Sequence, residues 1–105
     1  MTTQMMETRS PWTEGGRWIE SLRRGQMLTA AELAEQVGAP SARWIEEVEA
    51  GRRPVPSSVY RAFARQFDMT PAAFAAGCLK FYDPKAHEAL FGAAKPVLTE
   101  VRAAA

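Results

Sequence analysis

The stretch Leu28-Thr29-Ala30-Ala31-Glu32-Leu33-Ala34-Glu35-Gln36-Val37-Gly38-Ala39-Pro40-Ser41 decides the fold. Thr29 followed three residues later by Glu32 is the pattern of a capping box, in which each side chain satisfies the other residue's backbone N–H. Leu28 and Leu33 bracket that box as a hydrophobic staple. The helix so begun puts Leu33, Ala34 and Val37 on one face. Gly38 supplies a left-handed stop, Pro40 forbids continuation, and Ser41 caps a new helix at once. A link this short cannot lay two helices side by side with full side chains between them; it forces a sharp crossing. Close approach at the crossing needs a small inward residue. Ala34, four positions before the glycine, meets that need.

Similar signals recur on both sides. Upstream, Thr13 is the expected cap of a first helix with Trp18, Ile19 and Leu22 as its apolar stripe and Gly25 as its end. Gly15 and Gly16 weaken its first turn by roughly 1 kcal/mol each, so its start is expected to slip as far as Gly16. Downstream, Trp44, Ile45 and Val48 form the stripe of the helix capped by Ser41, which ends at Gly51. Arg52-Arg53-Pro54-Val55-Pro56 reads as an extended basic connector stiffened by its prolines. Ser57 or Ser58 is the expected cap of a fourth helix, with Tyr60, Phe63, Ala64 and Phe67 facing inward. Thr70-Pro71 starts a fifth, with Phe74, Ala75, Cys78 and Leu79 on one side. Asp83-Pro84 starts a short sixth through Leu90 and Phe91, closed by Gly92. No segment alternates with period two over a useful length. The chain therefore reads as all-α: a flexible N-terminal arm (1–12), a five-helix domain (13–80), a C-terminal helical extension (81–92) and a tail or weak helix (93–105).

Composition narrows the functions. With 105 residues the chain holds one core, and 13 Lys+Arg against 12 Asp+Glu leave a formal charge of +1, so no strong basic excess argues for nucleic acid. No run reaches the ~18 apolar residues of a membrane helix and no secretory segment opens the chain, so a cytoplasmic location is expected. One cysteine (Cys78) and one histidine (His87) make neither an internal disulfide nor a zinc site together. No glycine-rich phosphate loop, no carboxylate pair beside a base and no Ser/His/Asp set can be assembled, so the expectation is no enzyme, no cofactor, no metal and no small-molecule ligand.

Leu28 to Gly38, Val48-Glu49-Ala50-Gly51-Arg52-Arg53-Pro54 and Phe63-Ala64-Arg65-Gln66-Phe67-Asp68-Met69-Thr70 together resemble the Cro and lambda-repressor-like (XRE) helix-turn-helix domain. With the first helix from about Arg17, the resemblance covers some three fifths of the chain. It implies a five-helix DNA-binding domain whose third helix enters the major groove, in a homodimeric transcription regulator that is nucleoid-associated when bound. Two departures stand out. One residue more than the family pattern carries lies between Gly38 and the Ile45/Val48 pair, so either the turn is longer or Trp44 takes the core place. The exposed side of the third helix carries Glu46 and Glu47, with Glu49 near its end.

On this reading Ser41, Ala42, Arg43, Glu46 and Glu47 face base edges. Arg43 matches the commonest specific contact, bidentate to guanine, and the glutamates match cytosine amino groups. Thr29, Arg52 and Arg53 are placed for phosphates. The blander readings are an Arg43–Glu47 pair at i,i+4, an acidic face that is solvated or meets a protein, and plain capping by Ser41 and Thr29. Across residues 41–53 three arginines face three glutamates, so the reading segment is neutral, and a monomer should bind DNA weakly. Phe81, Tyr82, Leu90 and Phe91 exceed what a small core needs; they form a dimer interface or fold back over the fifth helix. Two functions follow: a repressor that reads an inverted-repeat operator in double-stranded DNA as a homodimer, or a protein-interaction module (antitoxin, anti-repressor or polymerase adaptor) that uses its acidic third helix. Cys78 is expected to be a small buried apolar residue and His87 to face solvent.

Overall fold

The computed structural model describes residues 10–92. Residues 1–9 and 93–105, which hold most of the expected arm and all of the expected tail, lie outside the described residues. The helices are α1 (Thr13–Gly25), α2 (Ala30–Val37), α3 (Ala42–Glu49), α4 (Tyr60–Gln66), α5 (Pro71–Tyr82) and α6 (Pro84–His87). A 3-10 turn, Ser57–Val59, precedes α4, and a π turn, Glu88–Gly92, follows α6. No strand occurs among the described residues, in agreement with an all-α reading.

The helix starts follow the capping chemistry. Thr29 Oγ1 accepts from the Glu32 backbone N–H at 3.0 Å while Glu32 Oε1 accepts from the Thr29 N–H at 2.8 Å. Gly38 sits in the left-handed region at φ 75°, and the Ala39 N–H closes the helix end onto the Ala34 carbonyl at 2.9 Å. Ser41, Thr70 and Asp83 cap α3, α5 and α6 through side-chain oxygens that accept from the Trp44, Ala73 and Ala86 N–H groups.

Two expected caps differ, and one end holds. Thr13 is the first residue of α1 rather than its cap; Trp12 occupies the cap position, and Thr13 Oγ1 accepts from the Ser10 N–H at 3.3 Å. Neither Ser57 nor Ser58 caps α4. The chain tightens into the 3-10 turn, and Val59, with no side-chain cap bond, precedes the helix. α1 ends at Gly25 as expected, and the left-handed residue of the turn that follows is Met27 (φ 59°). Arg23 explains this placement: its Nη1 donates to the Leu28 carbonyl at 2.8 Å and holds the loop against the helix end.

One core gathers Ile19 of α1, Leu33, Ala34 and Val37 of α2, Ile45 and Val48 of α3, and Phe63, Ala64 and Phe67 at α4. Phe74 and Cys78 of α5 complete it together with Val55, whose position between two prolines concealed its inward orientation. Phe74 is stacked between Trp18 (centroids 5.2 Å) and Phe63 (5.6 Å); such pairs contribute beyond their buried area.

Burial pushes the Cys78 thiol up to about 12 and, aided by the neighbouring thiol, the Tyr60 hydroxyl up to about 12. Both groups keep their protons in the folded chain, whereas unfolding lets them titrate from 9.0 and 10.0. Their contribution to stability is therefore complete below about pH 9 and lost as pH rises toward 12. Native chain at pH 8 should leave Cys78 unalkylated while denatured chain reacts at once, and the urea midpoint should fall steadily above pH 9. Equal alkylation rates in the two states would show that the thiol is open.

Candidate nucleic-acid interface

The corner between α2 and α3 sets the interface. Ile45 and Val48 are fully buried against Leu33 and its neighbours, so the opposite side of α3 must face out. Ser41, Arg43 and Glu46 are exposed, and Ala42 and Glu47 are partly so. Ile45 thus takes the core place for which Trp44 was the alternative. Trp44 lies half-buried at the rim, its ring 6.3 Å from Phe63, with the Arg53 guanidinium 5.6 Å above its face.

Charge on this face is organised around one carboxylate. Arg53 Nε and Nη2 lie 3.1 and 3.0 Å from Glu47 Oε1, and Arg43 Nε lies 3.4 Å from Glu47 Oε2. The i,i+4 pairing of Arg43 with Glu47 is therefore present, and the Arg43 side chain nonetheless remains 84% exposed. Glu49 belongs elsewhere. Its two oxygens accept from Arg23 Nε at 2.6 Å and Nη2 at 2.9 Å, with side chains only 9% and 13% exposed. Hydrogen bonding to Glu49 holds the Arg23 proton more tightly than usual, against the effect of burial. With Glu49 neutralised from α1, residues 41–53 present three arginines against two glutamates, one positive charge in excess rather than none. Sequence reading missed Arg23 because its partner lies 26 positions away and no local pattern marks it.

The connector places its arginines beside α3. Gly51 is buried at φ 80°, where an added Cβ would lie 2.9 Å from the Thr13 Cα, so the tight turn requires glycine. Ser10 Oγ donates to the Gly51 carbonyl, and the Arg52 N–H donates to the Glu47 carbonyl at 2.9 Å. Arg52 is exposed on that turn, and Arg53, also exposed, lies back over Trp44 and Glu47. Thr29 is exposed at the start of α2, but its own N–H is taken by Glu32. The groove along the corner, about 320 Å³ and bounded by Pro40, Ser41 and Ala42, also carries Glu32 and Glu35. Those carboxylates would repel a phosphate, which leaves the arginine side as the approach.

At the C-terminal end, Phe81 lies 5.4 Å from the Trp18 ring, and the Tyr82 ring covers Gly15. Both aromatic rings turn onto α1, over which Leu90 and Phe91 do not reach: these are 61% and 52% exposed. His87, expected to face solvent, is partly buried with its ring 4.8 Å from Phe91. Among the described residues no His, Cys, Asp and Glu cluster could hold a metal, and no helix is long and apolar enough to cross a membrane.

A family model described as a helix-turn-helix domain matches residues 16–76. No curated protein and no solved structure matches the chain. The matched span covers more than half of the sequence and runs from α1 through the α2–α3 corner into α5; the chain belongs to the helix-turn-helix domain family.

Proposed function

We propose that the chain is a DNA-binding transcription regulator, a cytoplasmic repressor that reads an inverted-repeat operator as a homodimer through the leading turn of α3. The observation that carries this reading is the division of α3: Ile45 and Val48 are fully buried while Ser41 and Arg43, one turn earlier, stand in solvent. A helix anchored by one face and free at its N-terminal turn is the arrangement that enters a major groove. Arg43 takes a guanine edge, Ser41 and Ala42 lie against neighbouring bases, and Glu46 is in reach of a cytosine amino group. Arg52 and Arg53 meet phosphates. One positive charge in excess is a small electrostatic driving force, so a single copy binds weakly. Two copies joined through Leu90 and Phe91 double the contacts and raise affinity through effective concentration. Half-sites then lie about one helical turn, ~10 base pairs, apart. The reading needs neither cofactor nor catalysis.

The test is binding of labelled duplexes across a salt series. Arg43→Ala should lose roughly 1–3 kcal/mol of discrimination at particular bases. Arg52→Ala should weaken all sequences alike and flatten the salt slope by about one. Equal affinity for scrambled duplexes, or no salt response, overturns the reading. The exposure of Glu46, which holds no ion pair among the described residues, favours a second reading. In it, α3 docks on a basic protein, and pull-downs that survive nuclease treatment would select it.

A further inference from the structure

Glu47 is the centre of the arginine network on the outer face of α3, and three observations bear on its role. It engages two guanidiniums at once, Arg43 at 3.4 Å and Arg53 at 3.0 Å. Its side chain is only 24% exposed although the helix face is open. Arg53, the closer partner, is also fixed over the Trp44 ring at 5.6 Å, so the carboxylate has one preorganised partner rather than two loose ones. An isolated exposed ion pair contributes little; a carboxylate shared by two arginines, one of them stacked, holds its geometry better.

Resting on the DNA-binding reading above, we infer that Glu47 is a positioning residue that sets specificity: it occupies Arg43 and Arg53 as an internal substitute for phosphate. The chemistry is a competition. Carboxylate and phosphate oxygens compete for the same guanidinium charge, so a duplex that offers only phosphates gains less from both arginines while Glu47 neutralises them, whereas an uncharged base edge loses little. Arg43, however, is held through Nε. Its terminal Nη groups stay available to a guanine edge, which takes a guanidinium end-on. Glu47 therefore opposes backbone-only binding while it aims Arg43 for base reading. Glu46, one residue earlier, carries the same charge without a salt bridge to Arg43 or Arg53, feels Arg23 only through a longer-range attraction, and serves as the comparator.

The experiment uses the full chain as wild type, Glu47→Gln and Glu46→Gln, against the best duplex that wild type selects from a randomised pool and against a duplex of unrelated sequence. Glu47→Gln should bind the unrelated duplex roughly five- to tenfold more tightly at low salt, with a salt slope steeper by about one. Its preference for the selected duplex should fall by a similar factor. Glu46→Gln should move both quantities less, since it removes charge without releasing an arginine. Unchanged affinity of Glu47→Gln for the unrelated duplex, with loss only on the selected one, would overturn this inference and make Glu47 a direct base reader. Equal effects of the two variants would also overturn it, reducing Glu47 to plain charge. A wild type that selects no duplex overturns the DNA-binding reading itself. Thermal melts of both variants check that the substitutions leave the fold intact.

Discussion

Gly16→Ala should destabilise the chain by about 2–4 kcal/mol, the opposite sign to helix propensity. Gly16 lies inside the first turns of α1, where alanine is ordinarily preferred by roughly 1 kcal/mol. Here an added Cβ would lie 2.4 Å from the Val48 carbonyl oxygen and 2.5 Å from that of Glu49. Both obstacles are backbone at the end of α3, so no side chain can swing aside and α1 itself must lift. Lifting α1 draws Ile19 from the core and Arg23 from Glu49, which is why overpacking outweighs propensity. Gly25→Ala is the internal control. Nothing lies within 4 Å of its added Cβ and its φ is not positive, so it should be neutral or stabilising by up to ~1 kcal/mol. Urea denaturation of the three proteins decides the matter; a higher midpoint for Gly16→Ala would show that α1 and α3 have room between them.

That glycine also marks where sequence reasoning succeeds and where it stops. The α2–α3 corner was legible because every determinant is local: Thr29 and Glu32 satisfy each other, Gly38 turns the chain, and Ser41 restarts it within three residues. Thr70-Pro71 and Asp83-Pro84 carry the same short-range chemistry. Gly15 and Gly16 read as weak helix formers because propensity judges a residue by its own backbone. Their function is contact with Tyr82 and with the end of α3, and no local rule contains those neighbours. Val55 was hidden for the same reason, since a residue between two prolines has no period to reveal its direction.

The candidate site divides along the same line. Period 3.6 assigned Ile45 and Val48 inward and Arg43 outward, and it left Trp44 ambiguous because an aromatic at a stripe's edge satisfies core and rim alike. Charge bookkeeping by sequence placed Glu49 with Glu46 and Glu47, although the three are distributed over different surroundings: solvent, two arginines, and a sheltered pair with Arg23. Likewise the surplus of Phe81, Tyr82, Leu90 and Phe91 was evident, but the share that α1 covers depends on Trp18 and Gly15, more than sixty residues earlier.

Arg23→Ala should cost about 2–4 kcal/mol, somewhat below the 3–5 kcal/mol of a fully buried pair broken on one side, because both side chains retain a little solvent. The guanidinium makes two bonds to Glu49 and one to the Leu28 carbonyl. Its loss leaves a sheltered carboxylate unpaired and removes the clasp on the loop that leads into α2. The cost comes mainly from the stranded Glu49 charge, so Arg23→Met combined with Glu49→Leu should recover most of it. What remains is the unmet Leu28 carbonyl, about 0.5–1.5 kcal/mol. A double-mutant cycle in urea measures the coupling, and a cycle that closes with no coupling would mean that the two side chains act independently. The same variants separate stability from binding. In the DNA-binding reading, Arg23→Ala leaves an uncompensated negative charge at the end of α3, so the fraction that stays folded should bind every duplex more weakly, with a flatter salt dependence. The double replacement should return duplex binding toward wild type, because it removes the stranded charge without restoring the ion pair.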